Sequence, residues 1–558
     1  MKRVYFTLAL MSLFGGLNAF AQTYNTIDGV KYGLMQDNKT CIVIGDDGAK
    51  GNITFKKEVE FNGIKYPVTG VCGFDNYPGE AKDQKKGFSE NAYITSITFE
   101  DGSQIGWIGD HAFKNCSSLK TIENIPSELN DIQAWCFEGT ALESVDLSNT
   151  KLQWLRSGCF YNSKHLKVVK FPSTLTSPND GNWKDADNDK YGKQAFQGTA
   201  IESIDLSNTN LISLGDYMFD GCILQTVKLP KTLKYIWQYA FSNSKLSSIT
   251  LPNFLQSIDK NAFQNTQLAN VVIPTSCNKI GGAAFAHNDN LKTVVINGTK
   301  CYLDFEAFAY CKNLKDVYIT SNSKPTAELY NFPFRDDPQV HVMKDYVDVF
   351  SGLRTDQNLN PCNTVNFVSD FSLTLSKKWT TFTSAYNLDF SGIEGLTAYT
   401  AKYNETNDAV ALTPVMKVQA HTGLILKSEA SKTYTLPILA SDADGLDAVT
   451  GNQLVGCVDA LWSTGRANDY FLHDGEFVKS DNDGWALPGK SYLYISGGRS
   501  NTSGSPLRVY VDNTATAING ITNNPVVKDE AYYNLQGVKV QHPQHGVFIH
   551  NGKKVVLK

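Results

Sequence analysis

The sequence predicts a mainly β fold in which a solenoid of stacked coils is followed by an all-β sandwich and a small β module at the C terminus. Three observations support this prediction. A phenylalanine recurs every 22 to 24 residues between positions 113 and 308, with one gap of 36. Beyond Pro361 short runs of alternating apolar and polar residues replace that period, and a last group of such runs follows residue 519. Regular periods indicate stacked coils, and separate alternating runs indicate sheets.

The first residues have the three parts of a secretory signal peptide. Residues 1–3 are Met-Lys-Arg, an apolar stretch fills 4–17, and 19–21 is Ala-Phe-Ala, a small-x-small cleavage site. We therefore assign residues 1–21 to a signal peptide and expect a secreted protein. The apolar stretch is shorter than the roughly 20 residues of a membrane helix, and no later segment is longer. No transmembrane segment is expected in the mature chain.

The repeat unit has three recurring positions. A small or soft residue precedes each phenylalanine, and an apolar residue stands five positions before it. A Leu or Ile five or six positions after it opens a strand-like run, such as Leu-Ser-Ser-Ile-Thr-Leu at 246–251. One coil has too little apolar area to fold alone, so each coil buries these residues against its neighbours. The repeated phenylalanines are Phe113, Phe137, Phe160, Phe196, Phe219, Phe241, Phe263, Phe285 and Phe308.

The block at 258–274 shows the full pattern, Ile-Asp-Lys-Asn-Ala-Phe-Gln-Asn-Thr-Gln-Leu-Ala-Asn-Val-Val-Ile-Pro. It resembles the BspA-like leucine-rich repeat of bacterial surface proteins. The resemblance covers 68–350, including a closing cap, with 22–67 as the N-terminal cap. The first coil is predicted at 71–74, Val-Cys-Gly-Phe, followed by an inserted loop. The resemblance implies a leucine-rich-repeat solenoid without catalytic residues, and a role in adhesion to host proteins or other cells.

Residues 363–511 are predicted to form the β-sandwich, because many short strands are separated by turn signals such as Asp474-Gly475 and Pro488-Gly489. The segment 496–505, rich in Gly, Ser and Asn, is interpreted as a long hairpin loop. The predicted strands are 371–375, 396–403, 410–412, 423–426, 434–436, 491–495 and 507–511.

The C-terminal module, 519–558, contains three predicted strands at 532–540, 546–549 and 553–558. It resembles the sorting tail of proteins exported by the type IX secretion system. That resemblance implies passage across the outer membrane and attachment at the cell exterior. The alternative is a small module that packs on the sandwich.

Eleven cysteines in a secreted chain raise the question of disulfides. Five of them stand at repeat positions and are predicted to pack as small buried residues: Cys116, Cys136, Cys159, Cys222 and Cys311. The chain has no C-x-x-C. The remaining six have no assigned pairing: Cys41, Cys72, Cys277, Cys301, Cys362 and Cys457.

No metal site is predicted. The insertion at 178–193 begins like a calcium loop at Asp185-x-Asp187-x-Asp189, but Lys190 and Phe196 stand where Gly and Glu are required. The insertion is therefore interpreted as a solvated loop, on which Trp183 is a candidate contact residue. His542 and His545 could chelate a metal, but no further ligands accompany them.

The sequence predicts neither an enzyme nor a nucleic-acid-binding protein. It has no nucleophile elbow, no H-E-x-x-H, no phosphate-binding glycine loop and no dinucleotide fingerprint, so no cofactor is expected. The net charge is −5 and no basic stripe is present, which argues against nucleic acid as a partner.

The outward positions of the repeat strands are the candidate binding residues. The last outward column is polar or charged until it becomes apolar in three successive coils, at Val272, Val295 and Tyr318. Contiguous exposed apolar residues often mark a contact site, so we hypothesise a partner-binding patch there. The alternatives are that such residues simply suit a sheet, or that the closing cap covers them. The neighbouring column is small and polar and leaves room for a ligand: Asn270, Thr293 and Asp316.

Together these features predict a non-catalytic secreted or cell-surface binding protein, adhesin-like, whose repeat sheet binds a host or neighbouring-cell surface or matrix protein. The alternative is a carbohydrate-binding surface protein in which the β-sandwich recognises glycans.

Overall fold

A computed structural model describes the chain in segments. These are residues 20–35, 39–73, 87–177, 192–298, 301–320, 334, 336, 338–348, 366–429, 431–440, 442–463, 468–479, 484–496, 498–499, 505–511, 532–533, 539–540, 546–550 and 553–557. Most of the predicted signal peptide and of the Asp-rich insertion lies outside these segments, and so do Trp183, Cys362, His542 and His545. Of the signal peptide only residues 20 and 21 are described, and of the insertion only residues 192 and 193. The described residues form strands, turns and irregular connections, and none of them belongs to a helix long and apolar enough to cross a membrane.

The N-terminal region covers one end of the solenoid with antiparallel strands. β1 pairs with β2 and β2 with β3, both antiparallel, whereas β3 pairs with β6 in the parallel sense that continues through the coils. β4 pairs in parallel with the first long repeat strand, so the predicted cap already contributes strands to the coils. The strands are β1 Phe20–Ile27, β2 Val30–Met35, β3 Cys41–Asp46, β4 Gly51–Phe55, β5 Glu58–Phe61 and β6 Ile64–Val71.

The solenoid contains two series of parallel strands. The front series holds β4, then β7, β9, β11, β12, β13, β15, β18, β20 and β22 to β24, and the rear series continues from β6 through the two-residue strands. The ranges are β7 Ile94–Phe99, β8 Trp107–Ile108, β9 Thr121–Glu123, β10 Asp131–Ile132, β11 Ser144–Asp146, β12 Val168–Lys170, β13 Ser203–Asp205, β14 Ser213–Leu214, β15 Thr226–Lys228, β16 Tyr235–Ile236, β17 Ser257–Ile258, β18 Asn270–Ile273, β19 Lys279–Ile280, β20 Thr293–Ile296, β21 Tyr302–Leu303, β22 Asp316–Ile319, β23 Gln339–His341 and β24 Asn366–Val368.

The predicted solenoid is confirmed, with about eleven coils. In the predicted run 246–251 no strand forms, although Leu246 and Leu251 are buried as expected. At the other end the front series extends past residue 350, because β23 pairs in parallel with β24. A 3₁₀ turn at Lys344–Tyr346 follows β23. The other predicted domain boundaries stay predictions.

A stack of phenylalanine rings runs along the core. Successive rings are 5.0 to 5.8 Å apart between centroids and nearly parallel, and all nine predicted phenylalanines belong to the stack. Two further rings extend it, Phe88 at the start and Phe334 at the end. Phe88 provides the first of the stacked rings in the described part of the chain. Phe74 lies outside the described residues.

The turn around each phenylalanine uses two residues in the left-handed backbone region. One stands two positions before the phenylalanine and one two positions after it, as with Tyr239 (φ 58°) and Asn243 (φ 57°) around Phe241. The second position is mostly Asn or Gly, the residues that tolerate this conformation best. At Gly139 a Cβ atom would also lie 2.4 Å from Asn115 Oδ1 of the preceding coil. Each repeat therefore needs residues that tolerate a left-handed backbone as well as apolar residues for the core.

The position three residues after the phenylalanine holds a buried hydrogen-bond donor. Cys116 Sγ donates to Phe88 O (3.0 Å) and Cys222 Sγ to Phe196 O (2.9 Å), both in the preceding coil. Ser163 Oγ and Asn288 Nδ2 make the same contact, with Phe137 O and Phe263 O. Burial raises the pKa of Cys116 to about 12, so its thiol keeps the proton that it donates. The five repeat cysteines are buried as predicted. Cys, Ser and Asn share the bond to the preceding coil, whereas Thr140 and Thr199 donate to the phenylalanine carbonyl of their own coil.

The segment 370–511 forms further sheets, of which the largest has nine strands in the order β26-β31-β28-β29-β39-β36-β35-β38-β33. Each strand predicted from the sequence is present, and Asp474-Gly475 forms the turn between β35 and β36. The segment 496–505 is not a hairpin loop, because β36 and β35 separate β38 from β39. The sandwich arrangement stays a prediction. The strands are β25 Asp370–Leu375, β26 Trp379–Phe382, β27 Leu388–Asp389, β28 Leu396–Asn404, β29 Ala409–Val415, β30 Lys417–Val418, β31 Leu424–Ser428, β32 Lys432–Pro437, β33 Leu454–Cys457, β34 Leu461–Ser463, β35 Asp469–His473, β36 Glu476–Lys479, β37 Gly484–Ala486, β38 Lys490–Tyr494 and β39 Leu507–Val511.

Residues 512–558 are a second compact unit. Its described strands form one sheet in the order β41-β40-β42-β43. The single strand predicted at 532–540 is two strands, because β40 and β41 pair antiparallel with each other. The ranges are β40 Tyr532–Tyr533, β41 Lys539–Val540, β42 Gly546–His550 and β43 Lys553–Leu557.

Candidate binding face of the repeat sheet

The front series presents two outward columns of side chains. In β9, β11, β12, β13 and β15 the middle side chain is buried or half-buried and the two flanking ones are exposed, as in β11, where Val145 is buried between Ser144 and Asp146. Side chains alternate across a strand, so the leucine-rich pattern fixes which positions face outward. We call the outward residues of β11, β12, β13 and β15 the open face: Ser144, Asp146, Val168, Lys170, Ser203, Asp205, Thr226 and Lys228. All eight are exposed.

Two ion pairs of the same design cross the open face. Asp146 Oδ2 lies 2.9 Å from Lys170 Nζ, and Asp205 Oδ2 lies 2.9 Å from Lys228 Nζ. In both, the aspartate also accepts bonds from a serine two residues later, such as Ser148. The Ser148 hydroxyl and Lys170 lower the pKa of Asp146 to about 2. The open face is therefore charged but locally neutral, and the column beside the pairs consists of small residues and Val168.

The later coils of the same series are covered by the sheets that follow the solenoid. Tyr318 is 3% exposed and belongs to the hydrophobic cluster that includes Phe382 and Tyr386, and Val295 packs against that cluster. The Tyr318 hydroxyl accepts a hydrogen bond from Ser372 N (3.2 Å). Burial raises the pKa of this hydroxyl well above its usual range. We call the strands β20, β22 and β23 the covered stretch.

His341 is a polar link within the covered stretch. Its ring is 1% exposed and stacks on Tyr318 with 4.2 Å between centroids. Nε2 lies 3.0 Å from Asp316 Oδ1, and Nδ1 lies 2.9 Å from Asp370 Oδ1. Asp316 belongs to the repeat and Asp370 begins the first strand after it. The imidazole thus connects the two regions through both ring nitrogens.

A second contact lies at the corner of the preceding coils, where the loop 458–460 meets the solenoid. Asp459 Oδ2 accepts from Thr275 N (2.9 Å), and Asp459 Oδ1 accepts from Asn297 Nδ2 (3.0 Å). Asn297 Nδ2 also donates to the carbonyl of Val458 (2.8 Å). We call 458–460 the docking loop.

The structure changes the interpretation of the predicted apolar patch. Tyr318 is not exposed, because the following sheets bury it, and Val295 is half-buried under the same cluster. Val272 is half-buried, Thr293 and Asp316 are half-buried, and Asn270 is exposed. The alternative weighed from the sequence, that a covering element accounts for the apolar residues, fits Val295 and Tyr318, although that element is the following sheet region and not the closing cap.

Within the described ranges, no group of three or more His, Cys, Asp or Glu side chains is arranged to hold a metal ion. Residues 84–187 and 189–315 match the BspA type leucine rich repeat region, in six copies. The solenoid is a BspA-type leucine-rich repeat region. The match begins near Phe88 and ends just before β22, so it includes the whole open face.

Matches among solved structures come from several bacteria. A leucine-rich repeat protein from Bacteroides ovatus is 17% identical over 62% of this chain and 99% of its own, with a TM-score of 0.37. The pneumococcal vaccine antigen PcpA is 19% identical over 63% and 99%, with a TM-score of 0.31. A leucine rich cell surface protein from Faecalibacterium prausnitzii is 19% identical over 62% and 94%, with a TM-score of 0.33. No curated protein matches the chain.

Sequence reasoning missed the residues that join the BspA-type repeat region to the following sheets. His341, Asn297 and Asp459 have no motif around them, and their partners stand up to 184 residues away. The one available signal was the change of the outward column from charged to apolar, which marks where the sheet becomes covered.

Proposed function

We propose that this protein is a non-catalytic adhesin-like protein of the cell surface that binds a protein partner through the open face. The observation that carries the proposal is the open face itself. It consists of two exposed pairs of parallel strands in a solenoid whose later coils are covered. Its paired charges need no further counter-ion, and its small column lets another backbone or side chain approach closely. Solenoids commonly use such repeated strand surfaces for binding.

The location at the surface is supported by the predicted signal peptide and by the resemblance of the last unit to a type IX sorting tail. We propose that the chain is exported through the outer membrane and held at the cell exterior. A partner on a host cell, in matrix or on a neighbouring cell fits that location. The repeat family is structural, and the chemistry of recognition lies in the outward residues rather than in the coil.

The test is binding of the exported protein to a panel of matrix proteins and glycans. The blocking variant is Ser144→Arg, Ser203→Arg, Thr226→Arg, which places long side chains on the small column without touching the core. The matched control is Ser127→Arg, Ser173→Arg, Asn208→Arg, three exposed positions at coil corners. Both variants must melt like the parent protein before binding is compared.

We expect the blocking variant to lose at least about tenfold in affinity, equivalent to about 1.4 kcal/mol, and the control to keep it. Asn270→Arg tests whether the interface extends toward the originally predicted residues Asn270 and Val272. Equal binding by the blocking variant and the parent would remove the open face from the proposal. Binding to glycans alone, unaffected by the blocking variant, would favour the carbohydrate-binding alternative with the sheets of 370–511 as the reader.

A further inference from the structure

Two buried cysteines meet at the corner of the coils that receives the docking loop. Cys277 is 1% exposed and Cys301 is 3% exposed. Cys277 stands two residues before β19 and Cys301 one residue before β21, and these strands pair in parallel in adjacent coils. Both are free thiols in the structure, and Cys277 lies close enough to raise the pKa of the Cys301 thiol. A cysteine therefore stands just before each of the two neighbouring strands β19 and β21.

Gly298 lies against both cysteines. A Cβ atom at Gly298 would lie 2.8 Å from Cys301 Cβ and 2.4 Å from the carbonyl oxygen of Cys277. Only glycine therefore fits beside the pair without a shift. The Cys277 contact and burial also raise the pKa of Cys301, so the folded thiol is a poor nucleophile. A covalent bond between the two would have to form before the corner closes.

The other neighbouring cysteines differ in geometry. Cys136 and Cys159 occupy the same position of successive coils, with Phe137 N donating to Cys159 O. Register neighbours in a parallel stack are separated by the strand spacing of about 4.8 Å, and their side chains run side by side. Disulfides require Cβ atoms about 3.5 to 4.5 Å apart. Cys277 and Cys301 are not register neighbours, because they precede the paired strands β19 and β21 by two residues and by one, and a Cβ atom at Gly298 would touch both of them.

We propose that Cys277 and Cys301 form a disulfide in the exported protein. During folding the thiolate of one cysteine attacks the disulfide of an exported thiol–disulfide oxidoreductase, giving a mixed disulfide. The second cysteine then displaces the oxidoreductase sulfur. The chain loses two protons and two electrons, and the oxidoreductase becomes a dithiol. This proposal rests on the proposed surface location, because disulfides persist in oxidising compartments.

The disulfide would tie together the coils to which the docking loop binds. Thr275 lies two residues before Cys277, and Asn297 lies four before Cys301. Both contact Asp459. The cross-link closes a loop of about one coil and holds these two contacts at a fixed separation.

The experiment is peptide mapping of the full chain after export into an oxidising compartment. The protein is denatured without reductant, alkylated and digested with trypsin. We expect a species that joins peptide 261–279 to peptide 301–312, and that separates into the two on reduction. Both peptides recovered as alkylated free thiols would overturn the proposal. Because the parent protein is tested, a folding defect in a variant does not affect this outcome.

Cys311 shares the second peptide and provides the matched control. Cys311→Ser is expected to leave the cross-linked species in place, whereas Cys301→Ser is expected to abolish it. Loss of the cross-linked species in Cys311→Ser but not in Cys301→Ser would mean that Cys311 forms the bond, and would overturn the proposal. The same preparation is used on the binding panel, so a protein that binds its partner with free Cys277 and Cys301 refutes only the disulfide. A cross-linked protein that binds nothing refutes only the proposed function.

Discussion

Along one series of strands the BspA-type repeat region presents two different surfaces. On the open face the outward column alternates Asp146, Lys170, Asp205 and Lys228, each exposed to solvent. In the covered stretch the same column continues through Val295 and Tyr318, which pack under the following sheets. The inward residues are alike in both, because the coil requires them. The outward residues therefore differ according to whether their coil is exposed or covered by the following sheets. Four predictions test this difference between the open face and the covered stretch.

The largest effect is expected at Tyr318. Tyr318→Ala empties a position in the core shared by the repeat and the following sheets, and burial of this size predicts a loss of about 3 to 5 kcal/mol in the free energy of unfolding. Denaturant unfolding measures it. The matched change on the open face, Lys228→Ala, should cost no more than about 0.5 kcal/mol. Similar losses for the two variants would mean that the covered stretch is not a packed interface.

His341→Ala should have the next largest effect. The variant removes the imidazole's hydrogen bonds to the Asp370 backbone carbonyl and to the Asp316 carboxylate, so we expect a loss of about 1.5 to 3 kcal/mol in the free energy of unfolding. The control is His165→Ala, because His165 is exposed. A loss no larger than that of the control would show that the imidazole does not join the two regions.

Asp459→Ala tests the docking loop. It removes the acceptor for Thr275 N and Asn297 Nδ2, and since Asp459 is only half-buried we expect a loss of about 1 kcal/mol in stability. Limited proteolysis should also cut the docking loop faster than in the parent protein. Asp444→Ala, at an exposed position, is the control and should change neither measurement. An unchanged cleavage rate in Asp459→Ala would contradict the assigned contact.

The smallest effect concerns Asp146. Its pKa is lowered in the folded state, so this carboxylate stabilises the fold above the ordinary Asp pKa, and that contribution is lost as the pH falls toward about 2. Ser148→Ala should raise the pKa of Asp146 toward its ordinary value, and Lys170→Met should raise it less. NMR titration of the carboxyl carbon measures both. A larger rise in Lys170→Met would reverse the assigned order of causes. Ser127→Ala should leave the pKa unchanged.

The periodic part of the fold could be predicted from the sequence because every coil makes the same demands. The buried phenylalanines, the small residue before them and the buried repeat cysteines all follow from local spacing. Phe88 and Phe334 were missed because irregular segments interrupt the spacing on either side. The left-handed turn positions were also missed, although Asn and Gly at the second of them carried a signal.

The candidate site was predictable only in part. The sequence identifies which residues of the repeat strands face outward, since that follows from alternation. It does not identify what covers them, because coverage depends on segments far along the chain, such as Phe371 and Asp459. The apolar change at Val295 and Tyr318 was a real signal, but an intramolecular contact and an external partner produce the same pattern.

The direction of the hydrogen bonds between coils has a mechanical consequence. These bonds run along the solenoid axis, as with Phe241 N to Ala262 O and Phe263 N to Ala284 O. A pull on the two ends loads the coils in series, so the weakest one opens first and its neighbours follow singly. The later coils have additional contacts that share the load, because the docking loop bonds to Thr275 and Asn297 and the shared core packs around Tyr318. Under tension at a surface, extension would therefore start in the coils that carry the open face and lack these contacts, while the later coils stay folded.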